Sequence, residues 1–136
     1  MAVELLRKGH FGPIVSAVSV RRWADLAYID KQRQLEARYH NYRYLPVPTR
    51  EPDVPKRYIQ DLITEQVLAS QLGIDLDPAT TQVFLCGNPK MIGLPEEYDG
   101  VERFPDPVGA VELLTKRGFT LDRRRAPGNI HYEEYW

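Results

Sequence analysis

The chain alternates β-branched runs with segments of helical periodicity, and this alternation limits its possible folds more than any other feature. The segment from Phe11 to Val20 is a nearly continuous β-branched run, typical of a strand buried on both faces of a parallel sheet. Residues 42–47 and 81–87 predict two further strands. Pro46 and Pro48 place the first of these at a sheet edge, because proline offers no amide to a strand ladder.

Helical patterns fill the intervals between the strands. We predict helices over 2–8, 23–38, 56–71 and 107–117, with Gly9 and Gly73 as stops, and a last strand over 129–136. Strands that alternate with helices in this order predict an α/β fold of three layers, with a parallel sheet between two layers of helices. Ligands in such folds bind beyond the carboxyl ends of the strands.

Length and composition exclude several classes of protein. A chain of 136 residues with 43% hydrophobic residues predicts one compact domain. Its proline clusters predict loops between the elements of that domain, not a boundary between two domains. The net charge of -1 and the lack of a long apolar run argue against nucleic acid and against a membrane. A single cysteine, Cys86, excludes an internal disulfide and favours a reducing cytoplasm. The three histidines are scattered, so we expect them at the surface or in loops and predict no metal site.

Basic side chains follow three predicted elements. They lie at three predicted strand exits, namely Arg21 and Arg22 in VSVRRW, Arg50 in VPTREP, and Lys56 and Arg57 in VPKRY. Residues 21–57 carry nine lysines and arginines against five acids, whereas residues 58–136 carry seven against thirteen. Guanidinium groups pair bidentately with phosphate oxygens, so this region predicts a phosphate site at one edge of the sheet. The alternative is a solvated basic face.

The turn from Cys86 to Met91 (CGNPKM) places a thiol at the end of a strand, and the glycine after it allows close approach of a ligand. A flat aromatic ring fits such a turn, although packing is the commoner role of a buried cysteine. The tail contains arginines 123–125 and ends in Tyr135 and Trp136. A solvated turn and ordinary packing are the alternatives there.

Taken together, these motifs resemble the bacterial branch of the ferredoxin–NADP⁺ reductases, also called flavodoxin reductases. The resemblance rests on five segments: RRWADLAY, YLPVPTREP, PKRYIQDLI, VFLCGNPKM and LDRRRAPGNIHYEEYW. It implies that residues 1–136 form an NADP(H)-binding domain of the ferredoxin reductase C-terminal type.

The resemblance also implies residue roles. Arg21, Arg50 and Arg57 would contact the adenosine 2′-phosphate, with Arg22 as the alternative to Arg21. Cys86, the candidate catalytic residue, would border the nicotinamide near the flavin, and Trp136 would stack on FAD. The implied cofactor-binding residues are Arg21, Arg22, Arg50, Arg57, Gly87, Asn88, Pro89, Met91 and Trp136.

Two parts of the family pattern are missing from these 136 residues. One is the flavin-binding β-barrel that holds FAD, and the other is the first strand of the nucleotide domain with its glycine-rich turn. The resemblance therefore implies a need for an FAD-binding domain in cis or in trans, with ferredoxin or flavodoxin as the electron partner. Three alternatives stay open: a non-catalytic NADPH-binding or regulatory module, the reductase component of an oxygenase system, and a protein-interaction domain on a degenerate α/β scaffold.

Overall fold

The computed structural model describes residues 1–135, which form two compact units. The first unit is Met1–Ile59, and the second begins at Gln60. The prediction of a single compact unit is therefore wrong. Each unit has its own core and its own parallel sheet, because the described strands pair only within their own unit.

The first unit confirms the predicted order of its elements. Its regular elements are helix α1 (Ala2–Arg7), strand β1 (Ile14–Val20), a short 3₁₀ turn (Trp23–Asp25), helix α2 (Ile29–Arg38) and strand β2 (Tyr42–Pro48). Leu6 of α1 packs with Tyr42 and Tyr44 of β2 to form the buried centre of this unit. One face of β2 thus supplies most of the core of the unit.

Strands β1 and β2 run parallel, with Ile14 opposite Tyr42 and Val20 opposite Pro48. The Thr49 amide donates to the Val20 carbonyl at 2.8 Å, so in this register the amides of β2 that face β1 belong to odd-numbered residues. The nitrogens of Pro46 and Pro48 therefore point away from β1. This confirms the edge position of β2, since its prolines lie where no ladder bond is needed.

The burial predicted for the first strand is wrong, since no residue of β1 is fully buried. Ala17, Val18 and Ser19 are exposed, and Val18 retains 38% of its accessible surface. The physical reason is that β1 has one strand neighbour, β2, among the described residues. Its other edge has no described strand beside it.

The helix predicted over 23–38 begins later, at Ile29. Tyr28 has a left-handed backbone (φ 60°), which an α-helix cannot include. The residues before it form the 3₁₀ turn, in which the Arg22 amide donates to the Asp25 carboxylate at 3.1 Å. Sequence periodicity does not reveal this break, because the apolar spacing continues through it.

The second unit begins within a helix and ends with the last strand. Its elements are α3 (Ile59–Thr64), α4 (Val67–Leu72), β3 (Val83–Gly87), α5 (Pro89–Ile92), β4 (Glu96–Tyr98), β5 (Val101–Arg103), α6 (Ala110–Lys116) and β6 (Ile130–Glu134). The single helix predicted over 56–71 is wrong, because Gln66 (φ 51°) separates α3 from α4. Gly73 (φ 65°) ends α4, which confirms the predicted stop.

Strands β3 and β6 are parallel, with Val83 opposite Ile130 and Cys86 opposite Glu133. One face of this sheet packs on α5 and α6 through a core of buried residues, namely Ile63, Leu85, Ile92, Ala110, Val111, Leu114, Phe119 and Ile130. The strand predicted over 81–87 is confirmed, but it is buried on one face only, since Phe84 on the other face retains 48% of its surface. The α/β class with parallel strands is confirmed.

His131 is half-buried in β6, and the prediction of a surface or loop position is wrong for this residue. Its ring stacks on Phe84 with the centroids 4.6 Å apart. Its Nδ1 lies 3.1 Å from the Asp122 carboxylate and its Nε2 lies 2.8 Å from the Gln82 side-chain oxygen. His131 thus joins β3 and β6 to the segments that precede them.

No helix within residues 1–135 combines the length and apolar character that a membrane crossing requires.

Candidate functional site

The first candidate site lies at the carboxyl ends of β1 and β2. Beyond the strands, the Arg50 amide donates a 2.8 Å hydrogen bond to the Arg21 carbonyl. This bond places the main chains of Arg21 and Arg50 side by side, where parallel strands bring their exits together. The prediction that these two arginines meet at one edge of a sheet is thus confirmed by the geometry of the unit.

The side chains of Arg21, Arg22 and Arg50 are exposed, and within residues 1–135 no carboxylate forms an ion pair with them. The nearby acids are engaged by the main chain. Glu51 accepts a 2.9 Å hydrogen bond from the Trp23 amide, and Asp25 accepts from the Arg22 amide. The guanidinium groups are therefore available to an anionic ligand, and Glu51 and Asp25 hold the turn that carries Arg21 and Arg22.

Arg57 lies in the same unit, in the loop that leads to α3, and is half-buried. Beside it, the Lys56 ammonium lies 5.2 Å from the centre of the Tyr58 ring, and that ring is 46% exposed. The loop therefore presents positive charge and an aromatic surface. That Arg57 reaches the same ligand as Arg21 and Arg50 stays a prediction.

The second candidate site lies at the carboxyl end of β3 in the other unit. Asn88 begins α5, where its side-chain oxygen accepts from the Lys90 amide at 2.8 Å, and Pro89 is the first helical residue. Gly87 has a φ of 144°, and a Cβ there would come within 3.3 Å of the Met91 side chain. The positive φ favours glycine here, and the absence of a side chain leaves the backbone of the turn open to a flat ligand.

Cys86 is exposed, which argues against the alternative of a buried packing cysteine. Cys86 shares its face of the sheet with its register partner Glu133. The Tyr135 amide donates to the Gly87 carbonyl at 2.6 Å, and a hydrogen bond from the Tyr135 hydroxyl to Glu133 raises the pKa of that tyrosine. Burial and the nearby Cys86 thiol also raise the pKa of Tyr135, by less than the hydrogen bond does.

Sequence reasoning missed the role of Glu133 and treated Tyr135 as part of a terminal aromatic pair. The alternation of the last segment places His131, Glu133 and Tyr135 on one face, and that signal was present in the sequence. The pairing of Glu133 with Cys86 was not, since it depends on the register between strands far apart in the chain.

The arginines at 123–125 of the tail lie in a solvated turn, as their alternative interpretation predicted. Arg123 to Ala126 form a tight exposed turn, in which Arg123 pairs with Glu102. The solvated turn that was the alternative for this arginine triplet is therefore observed. Trp136 lies outside the described residues, and its stacking on FAD stays a prediction.

Comparisons with known proteins identify the class of this domain. The family of oxidoreductase NAD-binding domains matches residues 1–96. The flavodoxin/ferredoxin–NADP reductase of Escherichia coli (strain K12) is 34% identical over 85 residues, covering 60% of this chain and 34% of that protein. The enzyme of the same name from Buchnera aphidicola is 28% identical over 130 residues, covering 93% of this chain and 46% of that protein.

A solved structure agrees with these relatives. The ferredoxin NADP⁺ reductase from Neisseria gonorrhoeae, crystallised with bound FAD and NADP, superposes with a TM-score of 0.67 at 25% identity. The superposition covers 90% of this chain and 44% of that one.

The chain belongs to the oxidoreductase NAD-binding domain family, since the family model matches most of its length. Within that family it is a domain of the ferredoxin–NADP reductase type, and the resemblance drawn from its motifs is confirmed. The chain spans less than half the length of the relatives that it matches.

Proposed function

We propose that residues 1–136 are the NADP(H)-binding part of a ferredoxin– or flavodoxin–NADP⁺ reductase that acts in the cytoplasm. The flavin-binding barrel would be supplied by a further segment of polypeptide, in cis or in trans. The observation that carries this proposal is the pairing of the Arg21 and Arg50 main chains while both guanidinium groups lack an ion-pair partner among the described residues.

The arginines would select the cofactor by its 2′-phosphate. A doubly charged phosphate group accepts bidentate hydrogen bonds from guanidinium groups, and NADH lacks this phosphate. Arg21 and Arg50 are held by main-chain hydrogen bonds, so the phosphate meets donors whose backbone is already in place. Arg57 would complete the clamp from the loop before α3, and Arg22 is the alternative to Arg21.

The turn after β3 would receive the nicotinamide. Gly87 leaves its backbone open, Cys86 is exposed beside it, and Asn88 and Pro89 fix the turn as the start of α5. Glu133 and Tyr135 would line the same position from β6. FAD, when bound, supplies the exchange between a hydride and single electrons, and Trp136 would stack on it. The contribution of this chain would be to bind, orient and select the nucleotide.

NADPH titration of the 136-residue chain by calorimetry tests the proposal. We expect the intact chain to bind NADPH more tightly than NADH. We expect the double variant Arg50→Ala/Arg57→Ala to lose this preference, at about 1–3 kcal/mol for each charged hydrogen bond removed. Equal losses for both nucleotides would contradict the assignment. Arg124→Ala/Arg125→Ala serves as the control, because it removes the same two charges from the exposed turn of the tail.

The second candidate function is a non-catalytic module that binds NADPH without turnover. Absorbance between 350 and about 500 nm after purification would detect bound flavin. If the chain and its flavin-bearing partner together reduce a ferredoxin or flavodoxin with NADPH, the hypothesis of a non-catalytic module is excluded. A preference for NADH would instead favour the reductase component of an oxygenase, and failure to bind either nucleotide would favour the protein-interaction domain.

A further inference from the structure

A small cavity in the second unit takes no part in the proposed function. It has a volume of about 130 Å³ and lies among α3, α4, the segment after α4 and the end of α6. Its apolar wall consists of Leu62, Leu68, Ala69, Ile74 and Leu76. An apolar cavity of roughly 150 Å³ holds a molecule the size of benzene. This cavity therefore has room for one branched aliphatic group.

Arg117 brings a positive charge to the lining of the cavity. It is half-buried where α6 ends, and its Nη2 donates a 2.6 Å hydrogen bond to the Ile63 carbonyl. This bond holds the guanidinium group in place and leaves its other N–H donors unused. Within residues 1–135 no carboxylate forms an ion pair with Arg117. Because an unpaired charge is costly to bury, an anionic group of a ligand would be stabilised beside it.

Asp75 brings the opposite charge to the same lining. It is exposed, and it follows the left-handed turn at Gly73 that ends α4. Among the residues that the structure describes, the Asp75 carboxylate has neither a hydrogen-bond nor an ion-pair partner. The cavity thus combines an apolar wall with one available cation and one available anion.

Gln66 supplies an independent indication that the cavity is a ligand site. It lies between α3 and α4 and lines the cavity, with a left-handed backbone (φ 51°) that glutamine rarely adopts. Its side-chain amide has no hydrogen-bond partner in the described part of the chain. Residues held in sparsely populated backbone conformations cluster at sites that clamp ligands.

We propose that this cavity binds a free α-amino acid with a branched aliphatic side chain, of the size of leucine. The ligand carboxylate would accept bidentate hydrogen bonds from Arg117, and the ligand ammonium group would pair with Asp75. The aliphatic side chain would fill the apolar wall. The inference does not depend on the proposed function, since these residues belong neither to the arginine site nor to the turn after β3.

The charges of the lining favour a zwitterion over simpler ligands. A neutral hydrocarbon would leave both Arg117 and Asp75 unpaired. A carboxylic acid without an ammonium group would place its negative charge near Asp75, and an amine without a carboxylate would place its positive charge near Arg117. Pockets of this kind take their affinity from the apolar wall and their specificity from a few polar groups.

Calorimetric titration of the 136-residue chain with four probes tests the proposal. The probes are L-leucine, isocaproate, which lacks the ammonium group, isoamylamine, which lacks the carboxylate, and glycine, which lacks the aliphatic side chain. We expect leucine to bind and each of the others to bind at least about tenfold more weakly. Lack of leucine binding at millimolar concentration would overturn the proposal, and so would equal binding of leucine and isocaproate.

A matched pair of variants assigns the ammonium contact. Asp75→Asn removes the charge and keeps the size of a side chain that has no described partner, so the fold should be unaffected. We expect it to bind leucine about tenfold more weakly and isocaproate no more weakly than the parent chain. Glu97→Gln, which removes an exposed carboxylate from β4, is the control and should bind leucine as the parent does. Equal leucine affinities in the two variants would refute the role of Asp75.

Arg117→Lys tests the carboxylate contact, because it keeps the charge and loses the planar fork of the guanidinium group. We expect this variant to weaken leucine and isocaproate by the same factor. Since the variant also loses the bond to Ile63, its denaturant midpoint is measured alongside. Amide chemical shifts give a readout that needs no variant. Added leucine should move the resonances of Gln66, Leu68 and Leu76, and shifts confined to the first unit would contradict the site.

NADPH titration of Asp75→Asn keeps the two proposals apart. We expect this variant to bind NADPH as the parent chain does, because Asp75 belongs to the second unit and the arginine site to the first. Loss of leucine binding with NADPH binding retained supports the cavity site. Failure of the parent chain to bind NADPH would count against the proposed function alone.

Discussion

The amide of Tyr135 lies 2.6 Å from the carbonyl of Gly87, and this hydrogen bond fastens the end of β6 to the turn that carries Cys86. Because Glu133 is the register partner of Cys86, residues from two strands separated by more than forty positions share one surface. A ring bound against the turn would therefore contact both strands, and a change in β6 would alter the turn without touching its sequence.

The two arginines after β1 should contribute unequally to NADPH binding. Arg21 is held against Arg50 by a main-chain hydrogen bond, whereas Arg22 belongs to the following turn. We expect Arg21→Ala to weaken NADPH by about 1–3 kcal/mol and Arg22→Ala by less, with little effect of either on NADH. Calorimetric titration of both nucleotides checks this, and a larger effect at Arg22 would reverse the assignment.

Glu51 should act as a positioning residue for the arginine turn. Its carboxylate accepts from the Trp23 amide, so Glu51→Ala leaves that donor to water and loosens the main chain after Arg22. We expect a loss of about 1 kcal/mol in the free energy of unfolding, together with weaker NADPH binding. Urea denaturation and the Trp23 amide resonance report the two effects. Glu97→Ala removes an exposed carboxylate from β4 and should change neither.

Tyr135 should titrate above its usual range because of Glu133. The hydrogen bond to the carboxylate stabilises the neutral phenol and so raises the pKa of Tyr135 from 10.0, with smaller contributions from burial and Cys86. Glu133→Gln should return the pKa of Tyr135 toward its ordinary value. Carbon-13 NMR of the tyrosine rings would follow the titration. Glu96 raises the pKa of Tyr98 in the same way, so Glu96→Gln is the control that should leave Tyr135 unmoved.

The same pair predicts a pH dependence of the end of β6. A group whose pKa is higher in the folded than in the unfolded chain stabilises the fold below its unfolded pKa and loses that contribution as pH rises through the folded value. We therefore expect amide protection at Tyr135 to fall as the pH rises above 10.0, and to fall less in Glu133→Gln. Protection that decreased toward acid pH across the same range would contradict this.

Gly109 should resist replacement by any larger residue, although its backbone is not left-handed. A Cβ at Gly109 would lie 2.5 Å from the Gly93 Cα and 2.8 Å from the Ile92 carbonyl oxygen, both main-chain atoms next to α5. We expect Gly109→Ala to cost about 1–3 kcal/mol in the free energy of unfolding, because the backbone must shift. Gly12→Ala is the control. Its Cβ would meet only the movable His10 side chain, and denaturant midpoints should separate the two variants.

The position of Arg21 and Arg50 could largely be predicted, because it follows from the order of the strands, which the sequence pattern indicates. Strand exits of a parallel sheet meet at one edge, so Arg21 and Arg50 were predicted to be neighbours from the two strands alone. The turn from Cys86 to Met91 was predicted for a related reason, since its glycine and proline limit the local backbone. The exposure of Cys86 was not predicted, because it depends on what lies beside β3.

The breaks in two of the predicted helices could not be predicted, because no feature of the sequence indicates them. Tyr28 and Gln66 adopt left-handed backbones that neither residue type favours, so the apolar spacing around them still indicated continuous helix. The hairpin of β4 and β5 was different. Its Asp99–Gly100 turn, with φ of 50° and 77°, has the residues that a tight hairpin prefers, and this signal was present in the sequence but not used.

The prolines on the outer side of β2 make the two edges of the first sheet unequal in their ability to pair with a further strand. A strand arriving beyond β2 would find no donor at positions 46 and 48, so edge-to-edge pairing of copies through that side is disfavoured. A strand that extends this sheet would pair more readily with β1 than with β2. A fibre of stacked copies needs two edges that can pair, and this sheet has one good edge.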